Sequence, residues 1–212
     1  WWWEFRYPEL GITTANELYL PVGRTASFEL KTVDVIHSFW IPQMGGKRDL
    51  VTNKTNFLWF TPNADLPTSA WNGFCTEYCG TSHANMRIRL YTVQPDEFAS
   101  WAAHQQRPAA YPVVATDSAQ APGYEFPASA LPDHTVPKTP IPAGLEFDDS
   151  LLAGGDPVAG MTNLMIGGCI GCHTINGNPM AQSPIGPNLT HIASRHTIAG
   201  GLFPNDAPHL AR

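Results

Sequence analysis

The sequence of 212 residues predicts an all-β domain over residues 1–105, a linker over 106–145 and a small all-α domain over 146–212. Short runs rich in Val, Ile, Phe, Trp and Thr, broken by Pro, Gly and Asn, predict the strands. Eight prolines between Pro108 and Pro142, with few large apolar side chains, predict an extended linker without a core of its own. Helical signals follow the linker.

Strands are expected in the segments whose apolar and polar residues alternate. "NELYLPVG", "TASFELKTVDVIHSFWIP" and "NKTNFLWFTPN" carry an antiparallel pattern, and "RIRLYTV" alternates over residues 87–93. The next segment, "QPDEFASWAAHQQ", has Pro95 near a first turn and apolar residues three positions apart, which predicts a helix. In the second domain, Asp156 is a good N-cap before Pro157, so "VAGMTNLMIGG" is expected to be helical.

Charge and hydropathy exclude some classes of function. The net charge is -6 and no basic stripe is present, which argues against binding to nucleic acid. No apolar run approaches the roughly 20 residues that span a bilayer. Because the sequence begins "WWWEFRYPEL" and ends "PNDAPHLAR", both ends look cut, and we expect a membrane segment upstream of it.

The four cysteines fall in two close pairs, and each pair is followed by a histidine. A disulfide scaffold would spread its cysteines to close long loops. Clustered thiols beside imidazoles indicate metal ligands or cofactor attachment points instead.

The second pair lies in "CIGCH", residues 169–173. This spacing is the signature of covalent haem c attachment, with thioether bonds at Cys169 and Cys172 and iron ligation by His173. A redox C-x-x-C followed by chance by a histidine is the alternative. In "GPNLTH", we expect the carbonyl of Pro187 or its neighbour to orient the His173 ring.

The sixth iron ligand is expected beyond Arg212. Met180 is the only methionine downstream of the attachment motif, and it follows His173 by only seven residues. Three further histidines are possible alternatives, although lone histidines are more often packing or surface residues: His191, His196 and His209.

The first pair lies in "CTEYCGTSHANM", residues 75–86, which we call the metal-donor loop. Thiolates and imidazoles together select soft or borderline metals. A single blue-copper site needs one cysteine, two histidines and a methionine, and this loop offers a second thiol. With His37 from an earlier strand, the set would complete a site for two metals bridged by two sulfurs.

These motifs resemble cytochrome c oxidase subunit II. The resemblance rests on H-S-F-W-x-P over residues 37–42 and C-x-E-x-C-G-x-x-H-x-x-M over residues 75–86. It implies a cupredoxin-like Greek-key barrel that holds a binuclear copper A site. The "CIGCH" segment with "GPNLTHIASRHTIAGG" is similar to the fused cytochrome c domain of the caa-type haem-copper oxidases.

The resemblance also implies a role for each donor. Two thiolates would bridge the coppers, each imidazole would bind one copper, and a thioether and a backbone carbonyl would be weak ligands. Cys75 and Cys79 would supply the thiolates, and His37 and His83 would supply the imidazoles. Met86 would supply the thioether and Glu77 the backbone carbonyl.

Two further assignments come from the resemblance. The Glu77 carboxylate would contribute to a magnesium site shared with subunit I, near Lys47 and Asp49 of "GGKRDL". Trp1 would lie at the position where electrons enter from a cytochrome c donor. Because "QMGGKRDLVTNKTN" departs from the commonest sequence of the family, Lys47 and Asp49 match the family less closely than the copper ligands do.

The implied function is electron transfer within a respiratory oxidase. Electrons would pass from a cytochrome c donor through haem c and copper A to haem a of subunit I, where oxygen is reduced and protons are pumped. No catalytic residue is expected in this chain. It would lie on the periplasmic face of the bacterial inner membrane, anchored by an upstream hairpin and bound to subunit I and other oxidase subunits.

Three alternatives compete with this interpretation. Nitrous oxide reductase uses the same copper loop, but its large propeller and any reason for a haem segment are missing here. A C-x-x-x-C copper chaperone would need a thioredoxin-like βαβ pattern, and short strands precede Cys75 instead. A zinc-binding module remains the third alternative.

Overall fold

The computed structural model describes residues 1–107, the first region, and residues 156–210, the second region. The first region contains nine β-strands, all within its described residues, and ends in a helix. The strands are β1 (Glu4–Tyr7), β2 (Ile12–Ala15), β3 (Glu17–Pro21), β4 (Ala26–Leu30), β5 (His37–Trp40), β6 (Arg48–Leu50), β7 (Asn56–Phe60), β8 (Ser69–Cys75) and β9 (Arg87–Val93), and the helix is α1 (Pro95–Gln105).

A five-stranded sheet in the order β3-β9-β8-β5-β6 carries the fold, with two-stranded pairs β1-β2 and β4-β7 beside it. This arrangement agrees with the predicted all-β domain. One feature differs from the antiparallel pattern predicted throughout, since β3 and β9 run parallel. These strands are far apart in the sequence, so the connecting chain can cross the sheet before β9 pairs with β3.

Two clusters of buried side chains form the core. One cluster contains Phe39, Ile88 and Leu90 together with three donors of the metal-donor loop, Cys75, Cys79 and Met86. The other cluster joins α1 to the sheet, where Trp101 stacks on Tyr19 with ring centroids 4.5 Å apart. The loop that carries the thiols is therefore part of the main core.

Local sequence signals place α1 and β9 as predicted. The strand β9 spans residues 87–93, and α1 begins at Pro95. A capping box closes the start of α1, because the Glu97 carboxylate accepts a hydrogen bond from the Gln94 amide at 2.8 Å. The Pro95 ring occupies a position whose N–H would have no partner within the helix.

The second region has less regular structure. It contains α2 (Pro157–Ile166), a strand pair of β10 (Thr197–Ile198) and β11 (Phe203–Pro204), and the short helix α3 (Ala207–Leu210). The Asp156 carboxylate accepts hydrogen bonds from the amides of Val158 and Ala159, so the predicted N-cap is confirmed.

The prediction of an all-α second domain is not confirmed, since turns and a short strand pair make up much of the second region. Residues 108–155, which hold most of the predicted linker and the predicted start of the second domain at 146, lie outside the described residues. The predicted domain bounds stay predictions. Within the described ranges, no helix combines the length and the apolarity that crossing a membrane requires.

Candidate metal centre

Strand pairing brings two donors together from distant parts of the sequence. His37 begins β5 and Cys75 ends β8, and these strands pair with Phe39 opposite Cys75. Because alternate residues of a strand face the same side, His37 shares the face of Phe39. The structure therefore places the imidazole of His37 beside the thiol of Cys75.

The five side-chain donors of the predicted site converge. The Sγ atoms of Cys75 and Cys79 lie 3.8 Å apart. His37 Nδ1 lies 3.8 Å from the Cys75 sulfur, and His83 Nδ1 lies 3.6 Å from the Cys79 sulfur. The Met86 thioether sulfur is 3.4 Å from the Cys79 sulfur. Each thiol thus has one imidazole nitrogen beside it, and both thiols remain free rather than joined in a disulfide.

The backbone carbonyl of Glu77 faces the same cluster, with its oxygen 3.3 Å from the Cys75 sulfur. All three groups His37, Cys75 and Cys79 are buried, and their ligand atoms lie within 4.8 Å of one another. The structure brings together all six groups that the resemblance implies as copper donors, and their role as copper ligands stays a prediction.

Backbone hydrogen bonds hold the metal-donor loop in shape. The amide of Thr76 donates to the Ser38 carbonyl at 3.1 Å and so ties the start of the loop to β5. Within the loop, the His83 amide donates to the Gly80 carbonyl at 3.1 Å and the Met86 amide donates to the Ser82 carbonyl at 3.2 Å. These turns fix the spacing of the donors along the loop, as a precise site requires.

Gly80 is required by both its backbone conformation and its surroundings. Its φ is +112°, which L side chains rarely adopt, and a Cβ there would lie 3.0 Å from the indole of Trp1. The indole N–H of Trp1 donates to the Cys79 carbonyl at 2.9 Å. Trp1 therefore packs directly on the loop, although 53% of its surface stays exposed.

Two residues near the site were not predicted. The Asp34 carboxylate lies 2.8 Å from His37 Nε2, which leaves Nδ1 directed at the thiols. Trp3 is buried, and its indole N–H donates to the Met86 carbonyl at 3.2 Å. The D-x-x-H spacing is a local signal that could have identified Asp34, whereas Trp3 meets Met86 only through the fold.

Burial makes an uncompensated thiolate at Cys79 unfavourable. Burial, with the neighbouring thiol of Cys75 as a further cause, raises the pKa of Cys79 to about 11. Burial alone would raise the pKa of Asp34, but its hydrogen bonds with His37 and Thr32 lower it. A cation between the sulfurs would stabilise their thiolate forms. The donor set of two thiols, two imidazoles and a thioether fits copper.

The residues predicted for magnesium and for electron entry lie at the surface. The side chain of Glu77 is exposed, as are those of Lys47 and Asp49. Tyr78, which follows Glu77, is 77% exposed. These positions are open to a partner surface, and the roles of Glu77 and Trp1 stay predictions.

The haem attachment motif has its own local structure. Cys169–Gly171 forms a 3₁₀ turn after α2, and both thiols are exposed and free. The Nδ1 atom of His173 lies 2.7 Å from the Pro187 carbonyl, which is the contact that the sequence predicted. If Nδ1 carries the proton, Nε2 keeps its lone pair for a metal.

Gly186 is required next to this histidine. A Cβ at Gly186 would lie 2.7 Å from the His173 ring, and the Gly186 amide donates to the Cys172 carbonyl at 2.6 Å. The second region also exposes the large apolar side chains of Ile166 and Ile185. Exposed thiols, an oriented imidazole and uncovered apolar surface together fit a covalently attached haem.

The methionine and histidines considered as a sixth iron ligand are dispersed. Met180 is exposed. The rings of His191 and His104 lie 4.9 Å apart, and His191 Nε2 is 2.9 Å from the Arg107 carbonyl. His209 bonds to Asp206 in α3. The expectation of a ligand beyond Arg212 stays a prediction.

Comparison with known proteins supports the resemblance for the first region. Residues 6–93 match the family model described as cytochrome c oxidase subunit II, periplasmic domain. The chain is 33% identical over 205 residues to cytochrome c oxidase subunit 2 of Alkalihalophilus pseudofirmus, and 32% identical over 212 residues to the protein of the same name from Bacillus sp. strain PS3.

Each of these two matches covers 97% of the chain and therefore extends into the second region. The chain spans about half the length of these relatives, 46% and 48%. Among solved structures, the periplasmic domain of subunit II of cytochrome oxidase from Bradyrhizobium japonicum is 30% identical, with a TM-score of 0.46 over 50% of this chain and 86% of that one. The assignment of the second region as a cytochrome c domain stays a prediction.

Proposed function

We propose, from the match of residues 6–93 to the periplasmic domain of cytochrome c oxidase subunit II, that this chain is an electron-transfer subunit of a haem-copper oxidase. It would pass electrons from a cytochrome c donor, by way of haem c and a binuclear copper A site, to haem a of subunit I. Oxygen reduction and proton pumping would take place in subunit I. The chain would lie on the periplasmic face of the membrane, anchored by a hairpin upstream.

The single observation that supports this proposal best is the convergence of donors at the metal-donor loop. Two sulfurs 3.8 Å apart, each with an imidazole Nδ1 within 3.8 Å, form a symmetric set in which both thiolates can bridge two metals. A mononuclear blue-copper site uses one thiolate, and a second buried thiol would have no role there. The set matches a sulfur-bridged pair of coppers.

The residues of the chain would act by fixing this geometry. The Cys75 and Cys79 thiolates would bridge, while His37 and His83 would each hold one copper. Met86 and the Glu77 carbonyl would complete the set. When bound, such a copper pair shares one electron between two metals, so its geometry changes little on reduction and transfer is fast at small driving force. The sulfur donors Cys75, Cys79 and Met86 are buried in the core, which keeps them in place.

The second motif would hold the haem. Cys169 and Cys172 would form the thioether bonds, and His173 would ligate iron with its ring oriented by the Pro187 carbonyl. Covalent attachment suits this region because it buries few side chains of its own within its described residues. The Glu77 carboxylate, exposed beside the site, would contribute to a magnesium ion at the contact with subunit I.

The experiment that tests the proposal measures metals and spectra on the full chain and on Cys79→Ser. The unsubstituted chain should bind about two copper ions and show the near-infrared band of a mixed-valence copper pair. Cys79→Ser removes one bridging sulfur, so we expect the band to be lost and the copper content to fall by about half or more.

A matched control comes from the other cysteine pair. Cys172→Ser should keep the near-infrared band and lose one thioether bond to haem, detected by the mass of the chain and by the haem absorption spectrum. Zinc in place of copper, or one copper with only a blue band, would contradict the proposal. Retention of the band in Cys79→Ser would contradict the bridging role.

A further inference from the structure

Glu17, the first residue of β3, has a buried carboxylate that accepts hydrogen bonds from both regions, the one from the first region being the Tyr91 hydroxyl at 3.4 Å. Only 3% of its surface is exposed. Its Oε1 atom accepts hydrogen bonds from the amides of His196 and Thr197, both at 2.9 Å, and from the Thr197 hydroxyl at 3.1 Å. Burial of a carboxylate is costly unless it is hydrogen-bonded or paired. Contact with the second region therefore stabilises Glu17.

Two arginines interact electrostatically with the same carboxyl group. Arg89 lies opposite Glu17 in the parallel pairing of β3 and β9, and it is also buried. Burial raises the pKa of Glu17, and the positive charge of Arg195 from the second region partly offsets this rise. An arginine from each region thus interacts electrostatically with this one carboxyl group.

A second contact joins the second region to the end of the metal-donor loop. The Gly200 carbonyl accepts a hydrogen bond from the Arg87 amide at 2.9 Å. A Cβ at Gly200 would lie 2.5 Å from the Asn85 carbonyl oxygen and 3.5 Å from the Met86 Cα. Only glycine permits this approach of one backbone to the other.

A third contact reaches the segment that holds the haem-ligating histidine. The Trp2 indole N–H donates to the Ile185 carbonyl at 3.1 Å. Ile185 precedes Gly186, which packs on the His173 ring, and Pro187, whose carbonyl orients that ring. The tryptophan beside Trp1 therefore links the first region to the support of His173.

We propose that Glu17, Trp2 and residues 85–87 form an intramolecular docking surface for residues 185–201, which holds the Cys169–His173 motif at one fixed position beside the metal-donor loop. The partner of this surface is the second region of the same chain. The inference rests on the proposed function in one respect, since a fixed position is useful because electrons pass between the two motifs.

The test is amide hydrogen exchange on the full chain with copper and haem in place. In the unsubstituted chain, the amides of His196, Thr197 and Arg87 should be protected, because each is hydrogen-bonded across the contact. Gly200→Val introduces a Cβ against the Asn85 carbonyl. We expect these three amides to exchange about tenfold faster or more in this variant.

Gly177→Val is the matched control. Gly177 also has a positive φ, +92°, but a Cβ there meets nothing within 4 Å. The variant Gly177→Val should therefore introduce the same kind of backbone strain without altering amide exchange at the contact. Thr197→Val, which removes only the hydroxyl donor to Glu17, should accelerate exchange of the His196 and Thr197 amides by about threefold and leave β9 protected beyond Arg87.

The outcomes separate this inference from the proposed function. Fast exchange of the three amides in the unsubstituted chain, or no difference between Gly200→Val and Gly177→Val, would overturn the docking surface even if the near-infrared band is present. Protection of the amides in a chain without that band would support the docking surface and contradict the copper proposal.

Discussion

The two regions of the chain hold their cofactor-binding motifs in opposite ways. In the first region, the metal-donor loop is part of a core that includes fully buried side chains such as Phe39 and Ile88. In the second region, the described residues bury only the side chains of Ile175, Asn178, Ala181 and Thr197, and both thiols are exposed.

This difference follows from what each region can bury. A sheet with a packed face fixes its loops through side chains that have few alternative positions. A short segment with little core gains stability from whatever it binds. The first region thus preorganises its donors, whereas the second region, under the proposed function, would gain stability from an attached haem and from its contact with the first.

Removing core volume should therefore have the largest effect, and mainly in the first region. Ile88 is 0% exposed in the middle of the core. Ile88→Ala should lower the free energy of unfolding by about 2–5 kcal/mol, through lost burial and the cavity left behind. Urea unfolding followed by tryptophan fluorescence measures the change.

Ile175→Ala is the comparison from the second region. Ile175 is buried there, and its amide donates to the Ala181 carbonyl at 2.9 Å. We expect a change confined to amide exchange near residues 174–182, with the midpoint of the main unfolding transition unchanged. Equal shifts of that midpoint in the two variants would show that both regions unfold as one unit.

Acid should weaken the contact between the regions by a smaller amount. Burial, with the charge of Arg89 as a second cause, lowers the pKa of His196 from 6.5 to about 4. The docked state favours the neutral ring of His196. The contribution of this ring to the stability of the contact is therefore present above pH 6.5 and is lost as pH falls from 6.5 towards 4. The charge of Arg89 and the ring of Tyr91 lie near the His196 ring, and the His196 amide donates to Glu17 Oε1.

Glu17 acts in the other direction, because its pKa is raised in the docked state and its protonation at low pH adds stability there. The histidine by itself contributes a loss of about 1 kcal/mol between pH 7 and 5.5. It is measured as faster exchange of the Thr197 amide, after correction for the intrinsic pH dependence, in the unsubstituted chain relative to His196→Asn. His196→Asn should flatten this profile, and an unchanged profile in that variant would assign the pH dependence to another group.

Loss of a helix cap should have an effect no larger than that of acid and should separate the regions again. Asp156→Ala removes the side chain that accepts from the amides of Val158 and Ala159. We expect α2 to lose about 1 kcal/mol, detected as faster amide exchange in its first two turns only. Glu97→Ala removes the capping box of α1, which packs on the sheet through Trp101, so a similar cost should appear in the main unfolding transition.

Much of the local structure was predictable because its causes lie within a few residues. The alternation of "RIRLYTV" predicts β9, and Pro95 and Asp156 mark the starts of two helices. The parallel pairing of β3 with β9 was not predicted, since alternation shows that a strand has two faces but not the direction of its neighbour. The short strand pair of the second region was missed because two residues are too few for a periodic signal.

The sequence by itself determined the chemistry and short-range spacing of the donors. Cys75, Cys79, His83 and Met86 lie within one loop, and "CIGCH" sets both thiols beside a histidine, so these groups are close together in any compact conformation. Only the tertiary structure decided which distant groups meet them. Strand pairing brings His37 to Cys75, and Glu17 meets Thr197 from 180 residues away, because contacts across such separations depend on how whole strands pack.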